Sequence, residues 1–161
     1  QLKSSEATTF IAYACIREIN RMLAEEGSDS AITYARSRFI SQPSLALAYR
    51  LAQLYASEAK DREAVEVLKI IRFITRFSPD DFVLVQKIAN FLHKLGECEM
   101  AFSIYKNLLE ESDLDKHLKI SLLQGGARIA AEQNEPVIAS RWNLEARKLK
   151  SPPPPRSESG K

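Results

Sequence analysis

Apolar residues recur three and four positions apart along almost the whole chain, which is the spacing of one face of an α-helix. Glycine is rare, at 5 of 161 residues. β-Branched residues seldom alternate with polar ones, as they would in a half-buried strand. The pattern predicts an all-α protein, with helices near residues 5–25, 29–41, 44–58, 61–77, 80–95, 97–111, 115–133 and 136–149.

Turn and capping residues separate these helices. Gly27 predicts a helix stop, and the Ser28–Asp29 pair after it predicts an N-cap. In the run from Ser78 to Asp81, we expect Ser78 to cap the next helix and Pro79 to occupy its first position. Because the connections are short, neighbouring helices must pack antiparallel, so the chain should form a series of helical hairpins.

An alanine recurs in the second helix of each predicted hairpin. The four alanines are separated by 33, 37 and 38 residues: Ala31, Ala64, Ala101 and Ala139. Small residues where helices cross let the two axes approach closely. We therefore expect Ala101 to lie where its helix touches a partner helix and Tyr105, one turn later, to fill the gap beside it. Equal spacing of such features indicates an internal repeat.

The first helices of the two central hairpins share an order of large apolar, small and large residues. The members are Leu51, Ala52 and Tyr55 in one hairpin, and Ile88, Ala89 and Leu92 in the next. With Ala64, Leu68, Gly96, Ala101 and Tyr105, they resemble the tetratricopeptide repeat. The resemblance implies a right-handed α-solenoid of about three to four hairpin repeats. The chain length predicts a single domain, over residues 1–150, and the proline run without apolar residues predicts a flexible tail over 151–161.

In the tetratricopeptide family, the first helices of successive hairpins line a concave groove that binds a partner segment. The resemblance places eight residues of this chain there: Tyr49, Gln53, Val83, Gln86, Asn90, His93, Gln124 and Arg128. Amide groups with one aromatic ring suit hydrogen bonds to a peptide main chain plus one apolar anchor. Only Asn90 fits the lysine and asparagine clamp of the relatives that hold chaperone C-terminal carboxylates, so that class is disfavoured.

Two kinds of function follow from the resemblance. The first is a protein-binding adaptor or chaperone, with a weaker likeness in size and layout to the small chaperones of type III secretion. The second is a piece of a larger solenoid scaffold in a secretion or export assembly, which self-associates through its ends. The absence of an initial Met and the apolar residues of the last helix favour the second. Trp142 is then expected to cover the solenoid end or to dock on a neighbouring repeat.

Composition narrows the function classes. Hydrophobic residues make up 45% and charged residues 27%, as in ordinary globular proteins. The longest apolar runs are far shorter than the ~20 residues that cross a bilayer, so we predict a soluble protein. Cysteines without a nearby partner indicate a reducing compartment, and we expect a cytoplasmic location, with a fragment of a larger or membrane-anchored protein as the alternative. The net charge of +2 comes from interspersed residues and favours no nucleic-acid partner. Lys69, Arg72 and Arg76 are expected to form a solvated stripe on the second helix of a hairpin.

The chain carries no recognisable catalytic motif. Cys15 and Cys98 are interpreted as small apolar residues, with one disulfide as the alternative. Gly125 and Gly126 lack the preceding strand and the lysine of a phosphate loop, so we expect them to permit close helix packing. We predict no enzyme, no catalytic residue, no metal, no cofactor and no small-molecule substrate.

Overall fold

The computed structural model describes residues 4–74 and 76–151, and these are helical with no strand among them. The α-helices are α1 (Ser4–Glu25), α2 (Ser28–Ser41), α3 (Leu45–Ser57), α4 (Asp61–Leu68), α5 (Phe82–Lys94), α6 (Cys98–Leu109), α7 (Lys116–Glu132) and α8 (Pro136–Lys150). Apart from the end of α4, the bounds lie within two residues of those predicted. The predicted tail lies outside the described residues except for Ser151.

The prediction of one helix through residue 77 is wrong. α4 ends at Leu68 and continues as a 3₁₀ turn over Lys69–Phe73, after which Ile74 is extended, with φ −94° and ψ 111°. Ile70, Ile71 and Ile74 are β-branched, and such residues lose side-chain freedom in a helix. Because the helix stops, Arg76 cannot share one helix face with Lys69 and Arg72. The predicted basic stripe is therefore not formed.

Three turns between consecutive helices share one backbone conformation. Ala59, Gly96 and Asn134 have positive φ values of 55°, 88° and 56°. In each turn the next residue donates its backbone N–H to the carbonyl oxygen five residues earlier: Lys60 to Tyr55 at 2.9 Å, Glu97 to Leu92 at 2.9 Å and Glu135 to Ala130 at 2.9 Å. This is the Schellman arrangement that closes a helix C-terminus. The turns are 37 and 38 residues apart, so the backbone repeats with the period of the alanines.

Side-chain caps start α3 and α7, whereas the predicted cap by Ser78 is wrong, because Ser78 makes no side-chain cap and precedes a 3₁₀ turn over Pro79–Asp81 rather than α5. The Ser44 hydroxyl accepts from the N–H of Leu47 at 3.2 Å, and the Asp115 carboxylate accepts from the N–H of Leu118 at 2.9 Å. α2 differs, because Gly27 at φ 94° is its N-cap and makes no side-chain cap. The expected cap by Ser28 or Asp29 is therefore wrong, and both residues lie inside the helix.

The described residues divide into two compact units, unit 1 ending at Glu97 and unit 2 beginning at Cys98. In unit 1, helices adjacent in sequence pack together from α1 to α4, and α3 also contacts α1 and α5. Ile19, Ala31, Leu47, Leu51 and Leu54 form part of its buried core. Each pair buries one apolar helix face, as the hydrophobic pattern predicted. The single domain over residues 1–150 stays a prediction.

In unit 2, α7 packs between α6 and α8. Tyr105 on α6 is fully buried, and Trp142 on α8 is 6% exposed. A Cβ atom on Gly126 would lie 2.9 Å from Cζ3 of Trp142 and 3.2 Å from Cδ1 of Tyr105. The Trp142 ring fills the space over Gly126 and leaves little surface for docking on a neighbouring repeat, and its expected place at a solenoid end stays a prediction. The paired glycines do permit close packing, as expected from the sequence.

Among the described residues, no helix combines the length and the apolar character needed to span a membrane.

Candidate functional site

The residues predicted for the groove in unit 1 lie on α3 and α5. Tyr49 and Gln53 on α3 are half-buried, as are Gln86, Asn90 and His93 on α5. Val83, near the start of α5, is 53% exposed. Partial exposure on helices that pack against each other is what a binding surface requires, although binding by these residues stays a prediction.

An aromatic contact joins the two helices. The rings of Tyr49 on α3 and Phe91 on α5 meet edge to face, with 5.8 Å between their centroids and an interplanar angle of 90°. This is the preferred geometry of an aromatic pair, and such a pair contributes about 0.5–1.5 kcal/mol beyond its buried area. The predicted anchor Tyr49 thus already has an aromatic partner, and its ring also fixes α3 beside α5.

A polar contact joins α3 to α1. Nε of Arg50 donates to Oδ1 of Asn20 at 3.0 Å, and a terminal guanidinium nitrogen donates to Oε1 of Gln53 at 3.5 Å. Sequence reasoning did not select Arg50 or Asn20. The contact holds the Gln53 side chain in place and puts a positive charge beside it.

The surface that α3 and α5 share is more basic than predicted. Three pairs of polar residues on the two helices are each 37 positions apart in the sequence. We call these six residues the α3–α5 face: Arg50, Gln53 and Ser57 on α3, with Lys87, Asn90 and Lys94 on α5. All six are at least partly exposed. Three are cations and none is an acid. The signal that sequence reasoning overlooked is that Arg50 and Lys87 are separated by the repeat length.

The remaining predicted residues belong to unit 2. Gln124 and Arg128 lie four residues apart on α7, and both are exposed. Gln124 and Arg128 remain candidates from sequence, on a helix that also carries the closely packed Gly126 and the buried Ala127 and Ala130.

A cavity of about 860 Å³ in unit 1 was not predicted. We call it the α1 cavity, because α1 contributes Thr9, Phe10, Ala12, Tyr13 and Ile16 to its wall. The start of α3 and the connection before α5 supply the rest, including Ile74, Arg76, Phe77, Asp80 and Asp81. Its parts are distant in the chain, so no local pattern marks it.

The cysteines and the basic residues after α4 complete the sequence-based candidates. Cys15 is buried and Cys98 half-buried, and both are free thiols rather than a disulfide. Lys69 pairs with Glu66 one turn before it. Arg76 faces the α1 cavity, whereas Lys69 and Arg72 line a separate shallow pocket with Phe39 and Phe73.

The chain was matched against known families and curated proteins without a relative being found. No model of a known protein family matches the chain, and a search of curated proteins finds no significant match. The resemblance to tetratricopeptide repeats therefore depends on the residues of this chain.

Proposed function

We propose that the protein is a non-enzymatic interaction module, an adaptor or chaperone, that holds a segment of a partner protein against the α3–α5 face. In this proposal the helical hairpins stack as a right-handed α-solenoid similar to tetratricopeptide repeats. The packing of α3 against both α1 and α5 supports it, because alternate helices touch when hairpins stack. The recurring Schellman turns support the repeat from the backbone.

The observation that carries the proposal is the composition of the α3–α5 face. Arg50, Lys87 and Lys94 provide positive charge, while Gln53 and Asn90 provide amide groups beside them. Amides pair with the main chain of a bound segment, and cations steer and orient acidic side chains. We infer that the bound segment is acidic.

Photo-crosslinking tests the proposal. A photoreactive amino acid in place of the exposed Val83 on α5 reports contacts at the α3–α5 face, and one in place of the exposed Arg62 on α4 serves as the matched control. In cells that make the protein, we expect an adduct from position 83 and none from position 62. The adduct should disappear in a Lys87→Glu, Lys94→Glu double variant.

Two outcomes of the crosslinking would contradict the proposal. Equal adducts from both positions, or an adduct from position 83 that persists after both charge reversals, would exclude the α3–α5 face as the binding surface. Circular dichroism of the double variant provides the folding control, since exposed surface substitutions change stability by no more than about 0.5 kcal/mol.

A second candidate function is a structural one, in which the chain stacks on further repeats. Phe10, Ile11 and Tyr13 on α1 are 73%, 40% and 64% exposed, and in unit 2 Val137 and Leu144 on α8 are 79% and 53% exposed. Large exposed apolar residues mark interaction surfaces. Light scattering distinguishes the candidates, because an adaptor keeps one mass on dilution and a stacking piece does not.

A further inference from the structure

The α1 cavity differs from the α3–α5 face in shape and in charge. Its volume of about 860 Å³ falls within the range of about 300–1,000 Å³ that is usual for binding clefts. It opens on unit 1 beside the N-terminal ends of α3 and α5, and its lining residues come from three separate stretches of chain. A cleft of this size accommodates two or three side chains of a bound segment.

Aromatic rings form much of the apolar wall. Phe10 is 73% exposed and Tyr13 is 64% exposed, whereas Phe77 across the cavity is buried. Two aromatic rings exposed on one helix are unfavourable in water, and covering them with an apolar side chain is favourable. The wall therefore favours a large apolar side chain.

The other end of the wall is acidic. Asp80 and Asp81 lie at the turn before α5, and burial, followed by the charge of Asp80, raises the pKa of Asp81 above its ordinary value. Within residues 4–74 and 76–151, neither carboxylate forms a salt bridge. Arg76 also lines the cavity, and no salt bridge among the described residues joins it to either carboxylate. Among the described residues that line the cavity, the two carboxylates thus outnumber the one cation, Arg76, and leave the wall with a net negative charge.

The two ends together specify the chemistry of a ligand. An apolar side chain buries the exposed rings of Phe10 and Tyr13, and a cation beside it compensates Asp80 and Asp81. A Lys or Arg side chain also has favourable interactions with the face of an aromatic ring. An acidic segment, as inferred for the α3–α5 face, is repelled here, so the two surfaces select different sequences.

We propose that the α1 cavity is a docking site for a protein segment that presents a large apolar side chain next to a lysine or arginine. This inference goes beyond the proposed function, because it concerns another surface and holds whether or not the α3–α5 face binds anything. The segment belongs to another protein, and its charge is opposite to that of the cavity wall.

Binding of synthetic peptides to the full chain tests this proposal by fluorescence polarisation. Three matched peptide sets carry a Phe or Leu flanked by Lys and Arg, the same apolar residue flanked by Glu, or a Ser flanked by Lys and Arg. We expect binding of the first set only, with affinity that weakens as salt rises. An Asp80→Asn, Asp81→Asn variant should bind it about tenfold more weakly.

Two further variants separate cavity binding from general stickiness. Phe10→Ser removes an exposed wall residue and should weaken binding about tenfold. Ile40→Ser removes an apolar residue that is 70% exposed on α2, outside the cavity, and should leave binding unchanged. The Lys87→Glu, Lys94→Glu variant should also bind normally, so a failure of the α3–α5 face is distinguishable from a failure here.

Three outcomes would overturn the proposal. The first is no binding by any set, or equal binding of the basic and acidic apolar sets. The second is a molecular mass that rises with concentration and falls in Phe10→Ser, which would assign the cavity to a second copy. The third is peptide binding that appears only after removal of residues 152–161, which would assign it to the chain's own proline-rich segment.

Discussion

Three aromatic residues of unit 1 lie on its surface, whereas all three of unit 2 are inside its core. Phe10, Tyr13 and Phe73 are 73%, 64% and 84% exposed. Phe102, Tyr105 and Trp142 are 8%, 0% and 6% exposed. Unit 1 thus leaves apolar surface available for other molecules, and unit 2 uses its aromatic surface for its own packing.

Small residues explain how unit 2 buries its large rings. Gly125 and Gly126 on α7 leave room for Tyr105 from α6 and Trp142 from α8, and the rings of Phe102 and Trp142 lie 5.9 Å apart. In unit 1 the helical pattern is interrupted after α4, and residues that follow the interruption line a cavity instead of a helix interface. Unit 2 therefore buries its aromatic rings between helices, whereas unit 1 leaves several of its rings exposed and has a cavity beside two of them.

The largest expected effect is on the packing of unit 2. Gly126→Ala places a Cβ atom within 3.0 Å of a buried ring, and such overpacking costs about 1–3 kcal/mol. Alanine regains up to about 1 kcal/mol of helix propensity. We expect a net loss of about 1–2 kcal/mol in the free energy of unfolding.

Urea denaturation measures this loss. Trp142 is the single tryptophan, so its fluorescence reports unit 2 while far-ultraviolet circular dichroism reports the whole chain. Gln124→Ala, exposed on the same helix, is the matched control. If Gly126→Ala were as stable as the control, the close packing of unit 2 would not limit its stability. If both signals shift together, the units unfold as one.

The second prediction concerns the left-handed turn at the end of α5. Gly96 has φ 88°, and nothing lies within 4 Å of a Cβ atom placed on it, so Gly96→Ala tests the backbone alone. We expect a loss of about 1–2 kcal/mol, the cost of a left-handed conformation for a residue with a side chain. Ala59→Gly, at the equivalent turn with φ 55°, should stabilise by about 0.5–1 kcal/mol. Thermal unfolding followed by circular dichroism measures both changes. If both substitutions changed the stability in the same direction, the two turns would not share one backbone conformation.

The third prediction compares one helix cap in each unit. Ser44→Ala removes the cap of α3 and Asp115→Ala removes the cap of α7, and each should cost about 1 kcal/mol. Ser103→Ala, exposed within α6, is the control and should change stability little. Tryptophan fluorescence should shift more for Asp115→Ala than for Ser44→Ala if the units unfold separately. An identical fluorescence shift for both variants would show that the two units do not unfold separately.

The smallest effect is expected for the ion pair between α7 and α8. Nζ of Lys119 lies 2.8 Å from Oε1 of Glu145, and the two side chains are 36% and 42% exposed. Exposed pairs contribute about 0.2–1 kcal/mol, so Glu145→Gln should cost less than about 0.5 kcal/mol. The difference should vanish in 1 M salt, where charges are screened within ~3 Å. A salt-independent loss would instead indicate a packing role for Glu145.

Much of the fold was accessible from local sequence signals. An amphipathic spacing of three and four residues, with Ser44, Asp115 and Pro136 at helix starts, is enough to place eight helices, because capping and helix periodicity act over a few residues. The exception was the run after Leu68, where the helical spacing of apolar residues continued but β-branched residues ended the helix. For the candidate site, the sequence placed Tyr49 and Gln53 on an accessible part of α3, and it omitted Arg50 and Lys87.

The sequence by itself determined the helices, their turns and the period of about 37 residues, since these depend on neighbours in the chain. Only the tertiary structure decided that Trp142 points into unit 2, that Arg50 bonds to Asn20 and that Asp80 borders a cavity with Phe10. Each of these joins residues at least sixteen positions apart. Side-chain burial and cavities arise from such distant contacts, which periodicity and capping do not encode.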